Sequence, residues 1–323
     1  MAAEIPQVNA EPTMHFAIPF RAILELNSPM NQSLSIRWAV SALTLAISLL
    51  PLTPAAGASP GTGPSFKGPV GLQLYSLRAE FTRNVPSTIE KVKNLGFKEV
   101  ELAGTYNLSP EKFKAMLDGA GLRPVSGHFP FERYKNDPEG VAREAKILGL
   151  EYAGCAWIPH EVDFDEKECR DAAQVFNSAG AVLKKHGIKF FYHCHGYEFR
   201  PFDQNSTFMD LLIKETDPSR VAFEMDVLWV VHPGQDPVAW LNKYPKRWQL
   251  LHLKDLKRGV KGDFSGKSDV TNDVALGKGQ MDWPKILKAA RRAGVKHYFI
   301  EDESPSVEAQ IPETLKYLET VTW

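Results

Sequence analysis

The chain has 323 residues, of which 43% are hydrophobic and 24% are charged, so it can bury one large α/β core or two ordinary ones. This composition excludes a disordered or fibrous protein. Lys and Arg number 38 and Asp and Glu 39, and the resulting net charge of −1 argues against nucleic acid as the main partner. The three cysteines lack zinc-site spacing and predict no disulfide framework.

The N-terminal part of the chain has the pattern of an export signal. An apolar run over residues 38–52 follows Arg37 and precedes the small residues Ala56-Gly57-Ala58. The run is shorter than the about 20 apolar residues of a membrane span, so residues 30–58 are predicted to be a cleaved signal peptide. An uncleaved anchor or a buried helix is the alternative.

This prediction sets the domain organisation. Met30 opens the signal segment, so we interpret residues 1–29 as an upstream extension. Residues 59–67 are then a linker, and residues 68–323 are close to the about 250 residues of a (β/α)₈ barrel. We expect an exported protein, periplasmic or secreted, with no membrane contact after signal cleavage.

Short β-rich segments alternate with longer amphipathic segments from residue 68 onward. The predicted strands cover residues 70–75, 99–103, 124–128, 152–157, 189–195, 221–226, 249–254 and 297–301. The helices predicted between them include residues 88–95, 111–120, 141–148, 167–186 and 286–293. Eight such units predict an α/β fold, a parallel (β/α)₈ TIM barrel, with an open doubly wound sheet as the alternative. A long irregular segment, residues 257–280, is predicted to be a functional loop such as a lid.

The active site of such a barrel lies at the C-terminal ends of its strands. The predicted strands end almost without exception in polar or aromatic residues, namely Tyr75, Glu101, His128, Trp157, His193, His195, Asp226, His252, Lys254 and Glu301. A barrel that was only a scaffold would not need to gather carboxylates and imidazoles at one rim. The pattern therefore indicates chemistry there.

The spacing within the last four strands predicts a metal site. Side chains two apart in a strand share a face, as His193 and His195 do. Imidazole nitrogens with carboxylate oxygens suit one divalent ion, such as Mn²⁺, Zn²⁺, Co²⁺ or Mg²⁺. The predicted ligands are His193 or His195, Asp226, His252 and Glu301. Separate hydrogen bonds without a metal are the alternative.

Other residues are predicted to contact substrate. His128 and Trp157 are candidates for a substrate wall, because sugar C–H groups stack on an indole ring; ordinary packing at the rim is the alternative. Lys254 is a candidate for stabilising an oxyanion, with a salt bridge to a carboxylate as the alternative. The remaining candidates for substrate binding are Tyr75, Glu101, Glu198 and His232.

Several motifs carry a family resemblance. They are GLQLYSLR at 71–78, VELAG at 100–104, YHCHGYEF at 192–199, MDVLW at 225–229, LHLKD at 251–255 and IE at 300–301. From about residue 70 to the end, the chain resembles the sugar phosphate isomerase/epimerase family, the xylose isomerase-like TIM barrels that also include endonuclease IV. The resemblance implies one divalent ion held by Glu, Asp, His and Glu from the last four strands.

One ligand position departs from the family pattern. Asp226, His252 and Glu301 match three of the four positions, and His193 replaces the fifth-strand Glu. In the epimerase members, that Glu and the last one exchange the substrate proton. The departure favours relatives such as inosose dehydratase-like and 3-keto-glycoside lyase-like enzymes, whose fifth strand carries a similar His-rich run.

The residues and the resemblance together predict a divalent-metal-dependent isomerase or epimerase acting on a small sugar or keto-sugar through an enediolate. Glu301 or an imidazole at 193 or 195 is the expected base, and Lys254 shares the enediolate charge. A dehydratase or 3-keto-glycoside lyase on the same barrel is the alternative. A non-catalytic sugar-binding protein is an alternative of another class, and assembly into a homo-oligomer is left open.

Overall fold

A computed structural model describes residues 59–161 and 163–323, and in them eight parallel strands close into one barrel. The first strand pairs with the second and with the last, where Val70 lies beside Tyr298. In chain order, the barrel strands β1 to β8 are Val70–Gln73, Glu99–Leu102, Arg123–His128, Tyr152–Cys155, Lys189–His193, Val221–Asp226, Trp248–Leu253 and His297–Ile300. The predicted (β/α)₈ barrel is confirmed.

Helices lie between the strands and pack around the barrel. In chain order, α1 to α11 are Arg78–Arg83, Val85–Asn94, Pro110–Ala120, Phe131–Asn136, Pro138–Leu148, Glu166–Lys185, Phe208–Glu215, Val227–Val231, Pro237–Lys243, Trp283–Ala293 and Val307–Thr320. Within the described ranges, no helix is both long and apolar enough to cross a membrane. The predicted extension and signal peptide lie outside the described residues.

Short sequence signals set the ends of these helices. Ser109 precedes α3 and its hydroxyl accepts the N–H of Lys112, which satisfies a donor that the first helical turn leaves free. Gly121 ends the same helix with a φ of 73°, a conformation that only glycine adopts without strain. The chain thereby leaves α3 and turns toward the start of β3.

Three predicted strands end two residues earlier than expected. Tyr75 lies in a one-turn 3₁₀ helix, Leu74–Leu77, and Trp157 and His195 lie in the loops that follow β4 and β5. Sequence alternation continues past the last ladder hydrogen bond, so it does not show where a strand stops. These three side chains are therefore placed by loops.

The interior of the barrel is layered. Its apolar layer consists of Val125, Tyr152, Phe191, Ala222, Leu250 and Phe299. Because side chains two apart point to the same face, the next layer in four of these strands is His193, Glu224, His252 and Glu301. Polar groups therefore stand on a packed hydrophobic floor.

The long segment at 257–280 is anchored at its base. Asp255–Leu256 pairs with Asp273–Val274 in a two-stranded antiparallel ribbon. The buried carboxylate of Asp255 accepts the N–H groups of Gly277 and Gly279 and the indole N–H of Trp283. These bonds hold the ribbon, and with it Asp273, against the barrel end.

Candidate active site and metal centre

A cavity of about 470 Å³ opens at the C-terminal ends of the strands, within the range of about 300–1,000 Å³ that is usual for small-molecule sites. Strand ends and the long loop line it together. Six predicted site residues contribute to its wall: Tyr75, His128, Trp157, His193, His195 and Glu301. The remaining wall is formed by Ala103, Ala156, Trp229, Gly266, Lys267, Ser268, Val270, Asp273 and Glu303. The loop predicted to be functional therefore reaches the cavity.

The four predicted metal-binding side chains converge at the floor of this cavity. His252 Nδ1 lies 3.1 Å from Glu301 Oε2 and 3.6 Å from Asp226 Oδ2. His193 Nε2 lies 3.9 Å from the same oxygen of Asp226. All four side chains are buried, and only His193 and Glu301 reach the cavity surface. Asp226, His252 and Glu301 thus present ligand atoms within 4.8 Å of one another, and His193 lies beside them next to Asp226.

Asp226 supplies the test of whether this cluster fits a cation. Its Oδ1 accepts the N–H of Trp229 at 3.1 Å and so caps α8. Its Oδ2 is buried and has no hydrogen-bond partner within 59–161 and 163–323. A buried oxygen without a partner is costly, and here it faces the two imidazoles. The residues fit a divalent ion of the kind that imidazole and carboxylate ligands bind.

Two buried carboxylates hold the outer nitrogens of the histidines. Glu224 Oε2 lies 3.0 Å from His193 Nδ1, and Glu101 Oε1 lies 2.7 Å from His252 Nε2. Such pairs fix the tautomer and orientation of metal-binding histidines. They leave His193 Nε2 and His252 Nδ1 facing Asp226. Glu224 and Glu101 therefore form a supporting layer behind the two histidines of the cluster.

Glu101 thus has a different place from the predicted one. It is fully buried, does not line the cavity, and accepts hydrogen bonds from Gln73 Nε2 and Ser126 Oγ as well as contacting His252. Its strand ends one residue later, so its side chain points into the barrel layer beneath the cavity. In the structure Glu101 contacts a predicted metal ligand, and its contact with substrate stays a prediction.

Glu224 was not among the predicted site residues. It is fully buried, and its Oε2 contacts His128, His193 and His252. Burial would raise the pKa of Glu224, but the three neighbouring imidazoles hold it well below the usual range. The available signal was its position two residues before Asp226, which puts both side chains on one face of β6.

Lys254 is enclosed by carboxylates. Its Nζ lies 2.6 Å from Glu303 Oε1, 3.2 Å from Glu301 Oε2 and 3.7 Å from Asp273 Oδ2. Burial would lower the pKa of Lys254, but these carboxylates hold it well above the ordinary value. Lys254 does not line the cavity, so the salt bridge that was the alternative is what the structure shows.

His195 stands in the cavity wall between two indole rings. Its ring stacks on Trp229 with centroids 4.4 Å apart and meets the edge of Trp157 at 5.2 Å. Nδ1 is buried without a partner among the residues described, on the side of Gly266. Burial lowers the pKa of His195 to about 3, so the ring is neutral.

Two predicted substrate-binding residues lie behind the cavity wall. Glu198 is fully buried and accepts the N–H groups of His195 and Gly196 and the hydroxyl of Tyr192, and burial raises the pKa of Glu198 to about 7. The ring of His232 lies against Asp263 of the long loop. Neither side chain lines the cavity. Each contacts a segment next to it: Glu198 contacts the turn at His195 and Gly196, and His232 contacts the long loop.

Comparison with known proteins agrees with this architecture. The family model of the xylose isomerase-like TIM barrel matches residues 89–321. The chain belongs to this family. The expected resemblance is thereby confirmed.

Individual relatives of this xylose isomerase-like barrel carry different names. An inosose dehydratase from Clostridium beijerinckii is 29% identical over 189 residues, 51% of this chain and 61% of that relative's length. A solved sugar phosphate isomerase/epimerase from Parabacteroides distasonis is 27% identical with a TM-score of 0.66, and the match covers 83% of this chain and 96% of that one. The IOLI protein with bound zinc is 13% identical with a TM-score of 0.58, over 77% of this chain and 94% of that one, a likeness of fold alone.

The wall residues that were not predicted include Trp229, Asp273 and Glu303. Trp229 lies three residues after Asp226 and Glu303 two after Glu301, so proximity to a ligand was the available signal. Asp273 arrives from the long loop, which carries no periodic pattern. Its contribution required the structure.

Proposed function

We propose that this protein is a divalent-metal-dependent lyase that eliminates water from a keto-cyclitol or keto-sugar. The observation that carries the proposal is the ligand cluster at the cavity floor, in which an imidazole stands where the epimerase pattern has a carboxylate. His193 Nδ1 is occupied by Glu224, and its Nε2 faces Asp226. Epimerases exchange the proton between two opposed carboxylates. In this cluster only one of those two positions holds a carboxylate, Glu301.

The relative named inosose dehydratase supports elimination as the reaction. The match spans about three fifths of that relative's length, so its substrate is not carried over as established. The solved isomerase/epimerase supports a second candidate, isomerisation of a sugar on the same cavity. Both reactions begin by removing the proton on the carbon beside a carbonyl group.

In the proposal, Asp226, His252, Glu301 and His193 hold the ion. A divalent ion so held would polarise a substrate carbonyl and acidify the adjacent C–H group. In the proposal, the ring of the substrate packs against the cavity wall formed by His128, Trp157 and His195, above the cluster. Lys254 keeps Glu301 ionised and in place at 3.2 Å.

His195 is the proposed base. Its ring lines the cavity and is held by the two indoles. In the proposal, Nε2 takes the proton from the substrate carbon. Glu301, another of the bases that the sequence predicted, makes contacts with both His252 and Lys254. We therefore assign Glu301 to the metal and His195 to the proton.

The test is a substrate panel with metal-depleted and metal-loaded protein. Keto-inositols, keto-sugars and 3-keto-glycosides are incubated with added Mn²⁺, Zn²⁺ or Co²⁺, and the conjugated ketone is followed by ultraviolet absorbance. We expect metal-dependent formation of the conjugated ketone from at least one of these classes. A product of unchanged mass supports the isomerase instead, and metal-independent binding without turnover supports a sugar-binding protein.

A further inference from the structure

Elimination of water needs an acid as well as a base, because hydroxide is a poor leaving group unless it is protonated as it departs. The acid must reach the cavity, must not be a ligand of the ion, and must hold a proton near neutral pH. Among the groups that line the cavity, two carboxyls lie outside the ligand cluster: Asp273 and Glu303. They differ in their pairing with cations.

Both carboxyls face the same ammonium, together with Glu301. Glu303 lies 2.6 Å from Lys254 Nζ and also 3.4 Å from Arg78 Nη2, so it is paired with two cations. Asp273 is the most distant of the three from the ammonium, at 3.7 Å, and it is only 4% exposed. Three carboxyls around one ammonium cannot all be ionised cheaply in a buried site, and the least paired one keeps the proton.

The position of Asp273 is fixed by the fold. The ribbon places its backbone beside Leu256, and its Oδ2 accepts the N–H of Glu303 at 2.9 Å. The side chain lines the cavity. Burial raises the pKa of Asp273 to about 7 against the opposing effect of Lys254.

We propose that Asp273, delivered by the long loop, is the general acid that protonates the departing hydroxyl group. This inference rests on the proposed lyase function. His195 Nε2 takes the proton from the carbon beside the carbonyl, the electron pair forms the new C=C bond, and the C–O bond breaks toward oxygen. That oxygen takes the proton of Asp273 and leaves as water. The products are a conjugated ketone and water, and solvent returns the proton to Asp273 as His195 releases its own.

The experiment compares two leaving groups in the metal-loaded protein. One substrate is the keto-cyclitol that the panel identifies, and the other carries fluoride in place of the departing hydroxyl, because fluoride leaves without a proton. We expect Asp273→Asn to lower the elimination rate of the hydroxyl substrate by about 10²–10⁴-fold, and to leave the fluoride substrate and α-hydrogen exchange with D₂O near wild type. Asp273→Glu, which retains an acid, should recover part of the lost rate.

Two measurements separate this role from a structural one. Metal titration of Asp273→Asn should give the wild-type affinity. The wild-type-minus-variant infrared difference spectrum at neutral pH should contain the band of one protonated carboxylic acid, because the other buried carboxyls, such as Glu198, are present in both proteins. Asp269→Asn, on the same loop but outside the cavity wall, is the matched control and should change neither rate.

Failure of the acid role of Asp273 and failure of the proposed lyase function give different results. Equal loss with both substrates, or loss of exchange together with elimination, overturns the role of Asp273 while the lyase stands. A wild-type protein that neither exchanges nor eliminates with any ketone contradicts the proposed function and this inference with it.

Discussion

Glu224→Gln tests the supporting layer beneath the metal cluster. The substitution keeps the shape of the side chain and removes its charge. Glu224 Oε2 contacts three imidazoles, with His193 Nδ1 at 3.0 Å and His252 Nε2 at 3.2 Å. A glutamine can place its amide oxygen where Oε2 stands, but a neutral amide oxygen is a weaker acceptor than a carboxylate for the three imidazoles. Both ligand histidines therefore lose their fixed orientation in part.

The expected magnitude follows from what such carboxylates do. Loss of a hydrogen-bonded carboxylate behind a ligand histidine costs about 10–100-fold in metal affinity. Because Glu224 serves two ligand histidines, we expect a loss near the upper end, about 2–3 kcal/mol of binding free energy. The barrel itself should remain folded, since the apolar layer below Glu224 is unchanged.

The assay is competition with a chromophoric chelator for Zn²⁺ and Co²⁺, with thermal unfolding recorded in parallel. Glu144→Gln is the matched control, because it removes a carboxylate paired with Arg133 on the barrel exterior and should leave metal affinity unchanged. A Glu224→Gln protein that is folded and binds metal as tightly as the wild type would refute the supporting role of this carboxylate.

Four further predictions follow from the site and the sequence. His252→Ala should abolish stoichiometric metal binding, measured by elemental analysis, while circular dichroism stays unchanged; a full ion in the variant would show that the ligand set is wrong. With the site saturated in metal, His195→Phe should lose α-hydrogen exchange with D₂O and Glu301→Gln should keep much of it, and the reverse result would return the base role to Glu301. Because burial raises the pKa of Glu198 to about 7, folding favours its protonated form, so wild-type stability should fall as pH rises from about 4.5 to 7. Glu198→Gln should show a flatter dependence of melting temperature on pH, and an identical slope would contradict this. N-terminal sequencing of protein from the native host should find a chain starting near Ser59, and an intact residue 1 or 30 would contradict export.

The fold was largely predictable because its signals are local and repeat eight times. Each unit carries a β-rich segment, a capped amphipathic helix and a turn such as the one at Gly121. Alternation also placed His193, Asp226, His252 and Glu301 at one end of the barrel, and the structure brings these four together. Polar residues that cluster at the ends of predicted strands can therefore be recognised from the sequence alone.

The supporting residues were less predictable because their roles depend on distant partners. Glu101 meets His252 across 151 positions of the chain, so its burial beneath a ligand has no sequence pattern. Glu198 was predicted to bind substrate. In the structure its carboxylate accepts the backbone N–H groups of His195 and Gly196, a local contact that the motif did not indicate. Asp273 reaches the cavity only because the ribbon folds back onto Asp255–Leu256.

The central claim is metal-dependent elimination, and the mass of the product tests it most directly. The metal-loaded protein is incubated with a keto-inositol in D₂O, and the product is analysed by mass spectrometry beside a chelator-treated sample. The account predicts a conjugated ketone lighter than the substrate by one water, formed only when metal is present. A product that retains every oxygen and differs only by deuterium at the exchanged carbon would contradict it.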